Sequence, residues 1–507
     1  MARMDRRGFL RRVAAGGLGM AAAGRMARAA EGATGAAPGG DRAPGGDRPQ
    51  GGDRPQGGDR PQGGDRPQGG DRPPNVLFIL TDDLGWGDLG CYGNRIVKTP
   101  CIDRLASEGL RFTNFYVNAP VCSPTRAGFT SGLFPSRLGI HGHFATHELN
   151  AKRGMPDSMD PGVPTVADMF QAAGYATGHI GKWHMGTVPA QEYGFAESRT
   201  FAGGGPFAWE GRENFWRHSS EYIVDDAIQF LETHRDEPFY LNLWTFHPHA
   251  PLDPSEEHMA PYARFNDKRL SGRFTTPFGV FYGTVTEMDR HLGRLLDKLD
   301  ELGLRDNTIV VFSSDNGPED IHLRETAHSG VGSPGPFRGR KRSLYEGGVR
   351  TPFIIRWPGK TPAGQVDGTT VLSGVDFLSS VSRLAGVPVP GDLRTDGEDL
   401  SRALLGEPTA RTKPLFWEFR SRVLGDPINR NPMMAVREGD WKLLMNPDRS
   451  RCELYNVPAD PMEVDNVAGA HAERVDRLAG MLLDWHAGLP ESPIEPEAGV
   501  NTYPWPK

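Results

Sequence analysis

From residue 75 onward the chain carries two alternating hydrophobic rhythms. Val76-Leu77-Phe78-Ile79-Leu80-Thr81 is a continuous apolar run, the mark of a strand buried on both faces. Thr99-Pro100 opens a helix that Gly109 closes, with proline at the first helical position and glycine just past the end. The pattern then predicts helix at 165–173, strand at 175–180, helix at 221–234, strand at 239–246, helix at 283–302 and strand at 308–313. Helix and strand in turn argue an α/β fold with a doubly wound, mostly parallel sheet. After about residue 410 the texture changes. Short strand-like pieces at 435–437, 441–444 and 453–455 precede a helix at 472–486, which predicts a smaller C-terminal α+β domain on a short antiparallel sheet.

The stretch before residue 75 has neither rhythm. Arg6-Arg7 precedes an Ala/Gly-rich apolar region and then Ala27-Arg28-Ala29, the three parts of a twin-arginine export signal over residues 1–29. Residues 39–74 hold six near-perfect copies of Gly-Gly-Asp-Arg-Pro-Gln. Each copy is charge-neutral and offers nothing large and apolar to bury, so residues 30–74 are expected to be a disordered linker. The expected domains are therefore 75–409 and 410–507, consistent with 507 residues exceeding what one core usually serves. The expected location is periplasmic or extracellular, reached through the Tat export machinery.

Charge and cysteines narrow the function. A formal net charge of −7, with no long basic tract beyond the first 28 residues, gives no hint of nucleic-acid binding. Nothing past the leader supplies the roughly 18 consecutive apolar residues of a membrane helix, and no cysteine near residue 29 suggests a lipid anchor. Cys91, Cys101, Cys122 and Cys452 are too few for a disulfide framework, though Cys91 and Cys101 could form one local bridge.

In open α/β sheets ligands bind beyond the carboxyl ends of the strands, so the polar groups at those ends are the candidates. The predicted strands end in Asp82-Asp83, in Lys182-Trp183-His184, in His247-Pro248-His249 and in Asp315-Asn316-Gly317. Asp82, Asp83, Asp315 and Asn316 offer only oxygen ligands, which suit Ca²⁺ or Mg²⁺ rather than zinc. Each pair alone is also readable as a helix cap or a turn. Lys182, His184, His249 and Lys341, or the arginines beside Lys341, would hold an anion facing such a cation. Cys122-Ser123-Pro124-Thr125-Arg126 suits a helix start, with Ser123 as cap and Cys122 at the positive helix end. A small buried cysteine, or an ordinary cysteine nucleophile with His184 as base, reads the same residues differently.

The run from Cys122 to Arg126, continued by Ala127-Gly128-Phe129-Thr130-Ser131-Gly132, resembles the signature of the formylglycine-dependent (type I) sulfatases of the alkaline-phosphatase-like superfamily. So do Asn75 to Gly87, Thr99 to Ala106, Gly181-Lys182-Trp183-His184, Ser314-Asp315-Asn316-Gly317 and Ser343 to Arg350, in family order. Cys101 departs from the pattern, standing where asparagine is usual, and the run Arg338-Gly339-Arg340-Lys341-Arg342 is unusually basic. The resemblance implies an alkaline-phosphatase-like core with a smaller C-terminal domain. It implies that a formylglycine-generating enzyme oxidises Cys122 and that the hydrated aldehyde attacks the sulfur of a sulfate ester. The covalent sulfated intermediate then expels sulfate. One Ca²⁺ would be held by Asp82, Asp83, Asp315 and Asn316 beside residue 122, with Arg126 steadying that residue and Asp315 helping to deprotonate it. Lys182 and His184 would contact the gem-diol, His184 serving as base; His249 and Lys341 would bind sulfate and aid the leaving oxygen, with His247 behind them.

Two rival readings remain: a phosphonate or phosphate ester hydrolase on the same scaffold, and a binding protein that keeps the fold without turnover. Substrate choice between aryl sulfates and sulfated saccharides would lie in loops such as 185–220 and 252–275. Trp209, Trp216, Trp244 and the basic stretch 338–342 are candidates for a sugar subsite, core packing and surface charge being the plainer explanation.

Overall fold

The computed structural model describes residues 72–201, 207–265, 277–320 and 324–503. The expected signal at 1–29 and all of the linker up to residue 71 lie outside the described residues, as do 202–206 and 266–276 of the two substrate loops.

The unbroken apolar run forms β1 (Asn75–Thr81), every residue of which is buried. Its side chains alternate between two cores, Val76, Phe78 and Leu80 on one face of the sheet and Leu77 and Ile79 on the other. That is the expected consequence of a period of two in a strand covered on both sides. The remaining strands of this sheet are β2 (Leu110–Tyr116), β3 (Ala176–Lys182), β4 (Glu197–Phe201), β5 (Phe239–Trp244), β6 (Thr308–Ser314), β7 (Arg350–Arg356), β8 (Gln365–Asp367) and β9 (Leu372–Ser373). Their order is β4-β3-β5-β1-β6-β7-β2-β8, with β9 also on β2. Pairing is parallel from β4 through β6, antiparallel on both sides of β7, and parallel again at β2, β8 and β9. Of the nine strands, β7 alone therefore opposes the rest, and the mostly parallel, doubly wound sheet stands as expected.

The covering helices follow their sequence signals with shifted starts. The helix α1 (Pro100–Glu108) begins at its proline and stops at Gly109. Next come α2 (Cys122–Ser131) and α3 (Val166–Ala172), the latter closed by a reciprocal cap between Thr165 and Asp168. The helices α4 (Phe215–Thr233) and α5 (Pro277–Glu301) each start six residues before the expected 221 and 283, because Phe215 and the Val280-Phe281 pair extend the buried stripe upstream.

A second, antiparallel sheet runs β10 (Leu415–Glu418), β11 (Met434–Glu438), β12 (Trp441–Met445), β13 (Glu453–Asn456), with α6 (Ala472–Ala487) against its middle strands. It abuts the first sheet beside β2, where the Trp417 indole N–H donates to the Val117 carbonyl at 2.7 Å. All four cysteines are free thiols, so the possible Cys91–Cys101 bridge is not formed. Among the described residues, no helix is long and apolar enough to cross a membrane.

Candidate active site

Strand polarity assembles the site. Because β1, β3, β5 and β6 run in parallel, Asp82-Asp83, Lys182 to His184, His247 to His249 and Asp315-Asn316 all emerge at one edge. The strand β2 shares that direction, so the turn after Tyr116 delivers Cys122 to the same edge. The opposed β7 begins there instead, which brings in Lys341 from the segment preceding Arg350.

The site does not start from a Ser123 cap, contrary to the sequence expectation. Val121 caps α2 in an extended conformation, and Ser123 lies inside the helix, its hydroxyl accepting from the Phe144 N–H at 3.0 Å. Cys122 is thereby the first helical residue, buried, at the positive end of a ten-residue helix. Arg126, four residues on and so on the same face, points back toward the strand ends. Its Nη2 and Nε reach Asp315 Oδ2 at 2.6 and 3.2 Å, its Nη1 donates to the Lys182 carbonyl at 3.0 Å, and its plane lies over Trp244.

The acidic groups close around this thiol. The Cys122 sulfur and one oxygen each from Asp82 and Asp315 lie within 4.8 Å of one another, as do ligand atoms of Asp82, Asp83 and His249. Asn316 donates its amide to Asp83 Oδ1 at 2.7 Å. Lys182 pairs with Asp82, and Lys341 Nζ sits 2.6 and 2.7 Å from the two oxygens of Asp83. Asp82 Oδ1 and Asn316 Oδ1, both buried, have no hydrogen-bond partner. Buried polar atoms are ordinarily satisfied. Two orphaned oxygens among three clustered carboxylates are the donor set of a hard cation, so the residues fit the Ca²⁺ expected of them.

Charge has moved the titrations in opposite senses. Burial alone would raise Asp82, but Lys182, His249, Arg126 and Lys341 outweigh it and hold its carboxyl below the usual range. Asp315 is held well above that range by burial and by the charge of Asp82. Burial, then Lys182 and Arg126, pushes His184 well below its ordinary value, and burial with Lys341 and Lys182 lowers His249. Both imidazoles are therefore neutral near pH 7. His184 Nδ1 is unpartnered while its Nε2 meets the Phe144 carbonyl, and His249 lies 3.9 Å from Asp83 with over a third of its side chain open to solvent. His247 stays behind them, hydrogen-bonded to Ser220 and the Trp216 carbonyl.

Backbone strain marks the same place. Seven described non-glycine residues have positive φ, and Asp83, His184 and Arg342 are three of them. Each such conformation costs about 1 kcal/mol, and such residues cluster where a site over-determines the chain.

The acids, imidazoles and lysines expected at the strand ends thus lie together with Cys122 and Arg126. Three that sequence reasoning missed join them. His143 lies with its ring 6.4 Å from that of His184 and is lowered to about 3 by burial and nearby cations. Glu319 is buried under Lys341 and Arg342. Ser220 orients His247. The run of cations at 338–342 was a signal for Glu319, since four neighbouring charges that fold inward need a counter-charge; His143 and Ser220 had none. That basic run does not line a sugar subsite: Arg338, Arg340 and Arg342 are spent on internal carbonyls, on Tyr345 and on Glu319.

Comparison with known proteins agrees with this geometry. Residues 74–387 match the family model described as Sulfatase, and residues 337–483 match the C-terminal model of N-sulphoglucosamine sulphohydrolase. The chain belongs to the sulfatase family, within the alkaline-phosphatase-like superfamily, and is a sulfuric ester hydrolase. Among its relatives is the human N-acetylgalactosamine-6-sulfatase, 33% identical over 82% of this chain and 80% of that protein. The N-acetylgalactosamine-6-O-sulfatase of Bacteroides thetaiotaomicron is 29% identical over 81% of this chain and 92% of its own length. A solved structure of Ps i-CgsB with k-i-k-neocarrahexaose superposes with a TM-score of 0.69 at 25% identity, over 83% of this chain and 94% of that one. The phosphonate monoester hydrolase of Agrobacterium radiobacter shares the fold, with a TM-score of 0.59 at 21% identity over 85% of this chain and all of the other.

Proposed function

We propose that this sulfatase removes sulfate from sulfated carbohydrates, using formylglycine made from Cys122 and one Ca²⁺ held by Asp82, Asp83, Asp315 and Asn316. The observation that carries the reading is the placement of the Cys122 sulfur at a helix N-terminus, among carboxylates whose neighbouring oxygens lack partners. When present, Ca²⁺ supplies a fixed positive charge for sulfate oxygens, and the hydrated aldehyde supplies a hydroxyl nucleophile.

The chain's own residues do the rest. Arg126 locks Asp315 through two nitrogens, fixing the carboxylate that faces residue 122. Asp315, held facing residue 122, accepts the proton of the attacking hydroxyl. Lys182 and Lys341 place two buried ammonium groups where negative charge spreads in the transition state, the largest single catalytic term in such sites. His184, neutral and with a free Nδ1, takes the proton of the second hydroxyl as sulfate leaves residue 122. The Lys341 ammonium is the donor placed to meet the departing oxygen, and His249, the most open of the group, lies beside it.

The saccharide preference rests on the relatives' substrates and on one side chain. Trp209 and Trp244 are core residues, whereas Trp216 is 37% exposed. Its ring packs on Phe246, three residues before His249, and on Phe201, which pairs with Lys182 across β3 and β4. An open indole at that rim is a platform for a pyranose face. The export expectation for residues 1–29 accompanies this reading.

The test is a rate comparison on calcium-loaded protein, with 6-sulfated N-acetylgalactosamine, an aryl sulfate and an aryl phosphonate monoester as substrates. The highest kcat/KM is expected for the sulfated sugar. A preference for the phosphonate would favour the rival hydrolase and overturn the proposal.

A further inference from the structure

Of the two site lysines, Lys341 alone has two carboxylates in reach among the described residues. Its Nζ lies 2.6 and 2.7 Å from the oxygens of Asp83 and 3.6 Å from Glu319 Oε2. For Lys182 no second carboxylate lies within ion-pair distance among the described residues. Glu319 is 1% exposed and firmly fixed. Arg342 binds both its oxygens, Oε1 accepts from the Asp320 N–H at 2.8 Å, and the Glu319 carbonyl accepts from Arg340 at 2.8 Å. Burial would raise its pKa, but Lys341 and Arg342 hold it down at about 2, so it stays charged.

The Lys341 ammonium and a divalent cation want the same two oxygens of Asp83. They repel each other, so a bound cation obliges Lys341 to release at least one of them. A shift of under about 1 Å brings Nζ into charge-assisted hydrogen-bond range of Glu319. We propose that Glu319 is a positioning residue: a second seat for the Lys341 ammonium, which clears Asp83 for the cation while keeping Lys341 in the pocket. An ammonium has three donors, so Lys341 seated on Glu319 still faces a substrate oxyanion. This inference rests on the reading of Asp82, Asp83, Asp315 and Asn316 as the cation site.

The experiment is calorimetric titration of metal-stripped protein with Ca²⁺, for the wild type, Glu319→Gln, Lys341→Met and the double variant. Glu319→Gln should weaken Ca²⁺ binding roughly tenfold when Lys341 is present and by less than about twofold when it is replaced by Met. An equal loss in both backgrounds would mean that Glu319 acts only through its field, and no loss in either would mean that it is structural; both overturn the proposal. If Glu319→Gln does not fold, Glu319→Asp carries the same cycle, since it keeps a charge for Arg342 while withdrawing it from Lys341. A smaller loss that again vanishes with Lys341→Met is expected. A wild type that binds no Ca²⁺ sinks the cation-site reading itself, and this inference with it, a result distinct from a normal wild type with no coupling.

Discussion

Two of the buried charge clusters among the described residues are built to opposite rules. Where the second sheet meets the first, Glu346 is gripped by Lys442 at 2.9 Å, Arg350 at 3.2 Å and Tyr116, while Lys442 also pairs with Glu463 at 3.0 Å. Each charge there has its counter-charge in direct contact. At the strand ends, Asp82, Asp83 and Asp315 share Lys182, Lys341 and Arg126, yet Asp82 Oδ1 and Asn316 Oδ1 meet nothing. Burial and charge alone therefore do not distinguish a strut from a site. The surroundings of the orphaned oxygens do: Glu463 Oε1 also lacks a hydrogen bond but lies 3.0 Å from the Lys442 ammonium, whereas Asp82 Oδ1 and Asn316 Oδ1 have no hydrogen-bond partner in a cluster where carboxylates crowd together.

Substitutions can break this contrast. Cys122→Ala should cost on the order of 10⁴-fold or more in kcat while leaving the thermal midpoint nearly unchanged, as read by sulfate release and by calorimetry. Asp315→Ala should lower Ca²⁺ affinity by more than the roughly 10–100-fold typical of outer-shell changes, and activity should fall with it. Lys442→Met should do the reverse. It strands Glu346 and Glu463, costing about 3–5 kcal/mol of stability in denaturant unfolding, with Ca²⁺ affinity unaltered. An Asp315 variant with normal calcium binding, or a Lys442 variant with impaired binding, would erase the distinction.

Smaller effects sharpen it. Burial and the charge of Glu346 raise Glu463 to about 7 despite Lys442. The folded state thus binds a proton that the unfolded chain releases near its ordinary value of 4.5. Stability contributed by this group is complete below that value and falls as pH rises through about 7, by about 3 kcal/mol at most. Glu463→Gln should flatten that slope in pH-dependent unfolding. The smallest change expected is Trp216→Ala, raising KM for a sulfated sugar several-fold with little change in kcat, consistent with about 1 kcal/mol for one aromatic platform.

Much of this was legible beforehand because local chemistry carried it. The apolar run of β1, the Pro and Gly at the two ends of α1, and acids or cations directly after four strands are all short-range signals. What escaped depends on distant partners. The strand β7 contains Pro352, which argues against a strand between two neighbours. It fits because the pairing with β2 is irregular between Phe112 and Phe115, opposite that proline. The expected Ser123 cap failed because Phe144, twenty-one residues away, claims the hydroxyl. Glu319 escaped for the same reason, since its meaning depends on where Lys341 and Arg342 fold.

The central claim is that this cluster surrounds a modified residue 122, and peptide mass spectrometry of the protein made in a host with the maturation enzyme addresses it directly. The account predicts a peptide bearing residue 122 lighter by about 18 Da than its thiol form, the change from thiol to aldehyde. An unmodified thiol from a host known to mature such enzymes would contradict it, leaving Cys122 either as an ordinary nucleophile or as a buried structural residue.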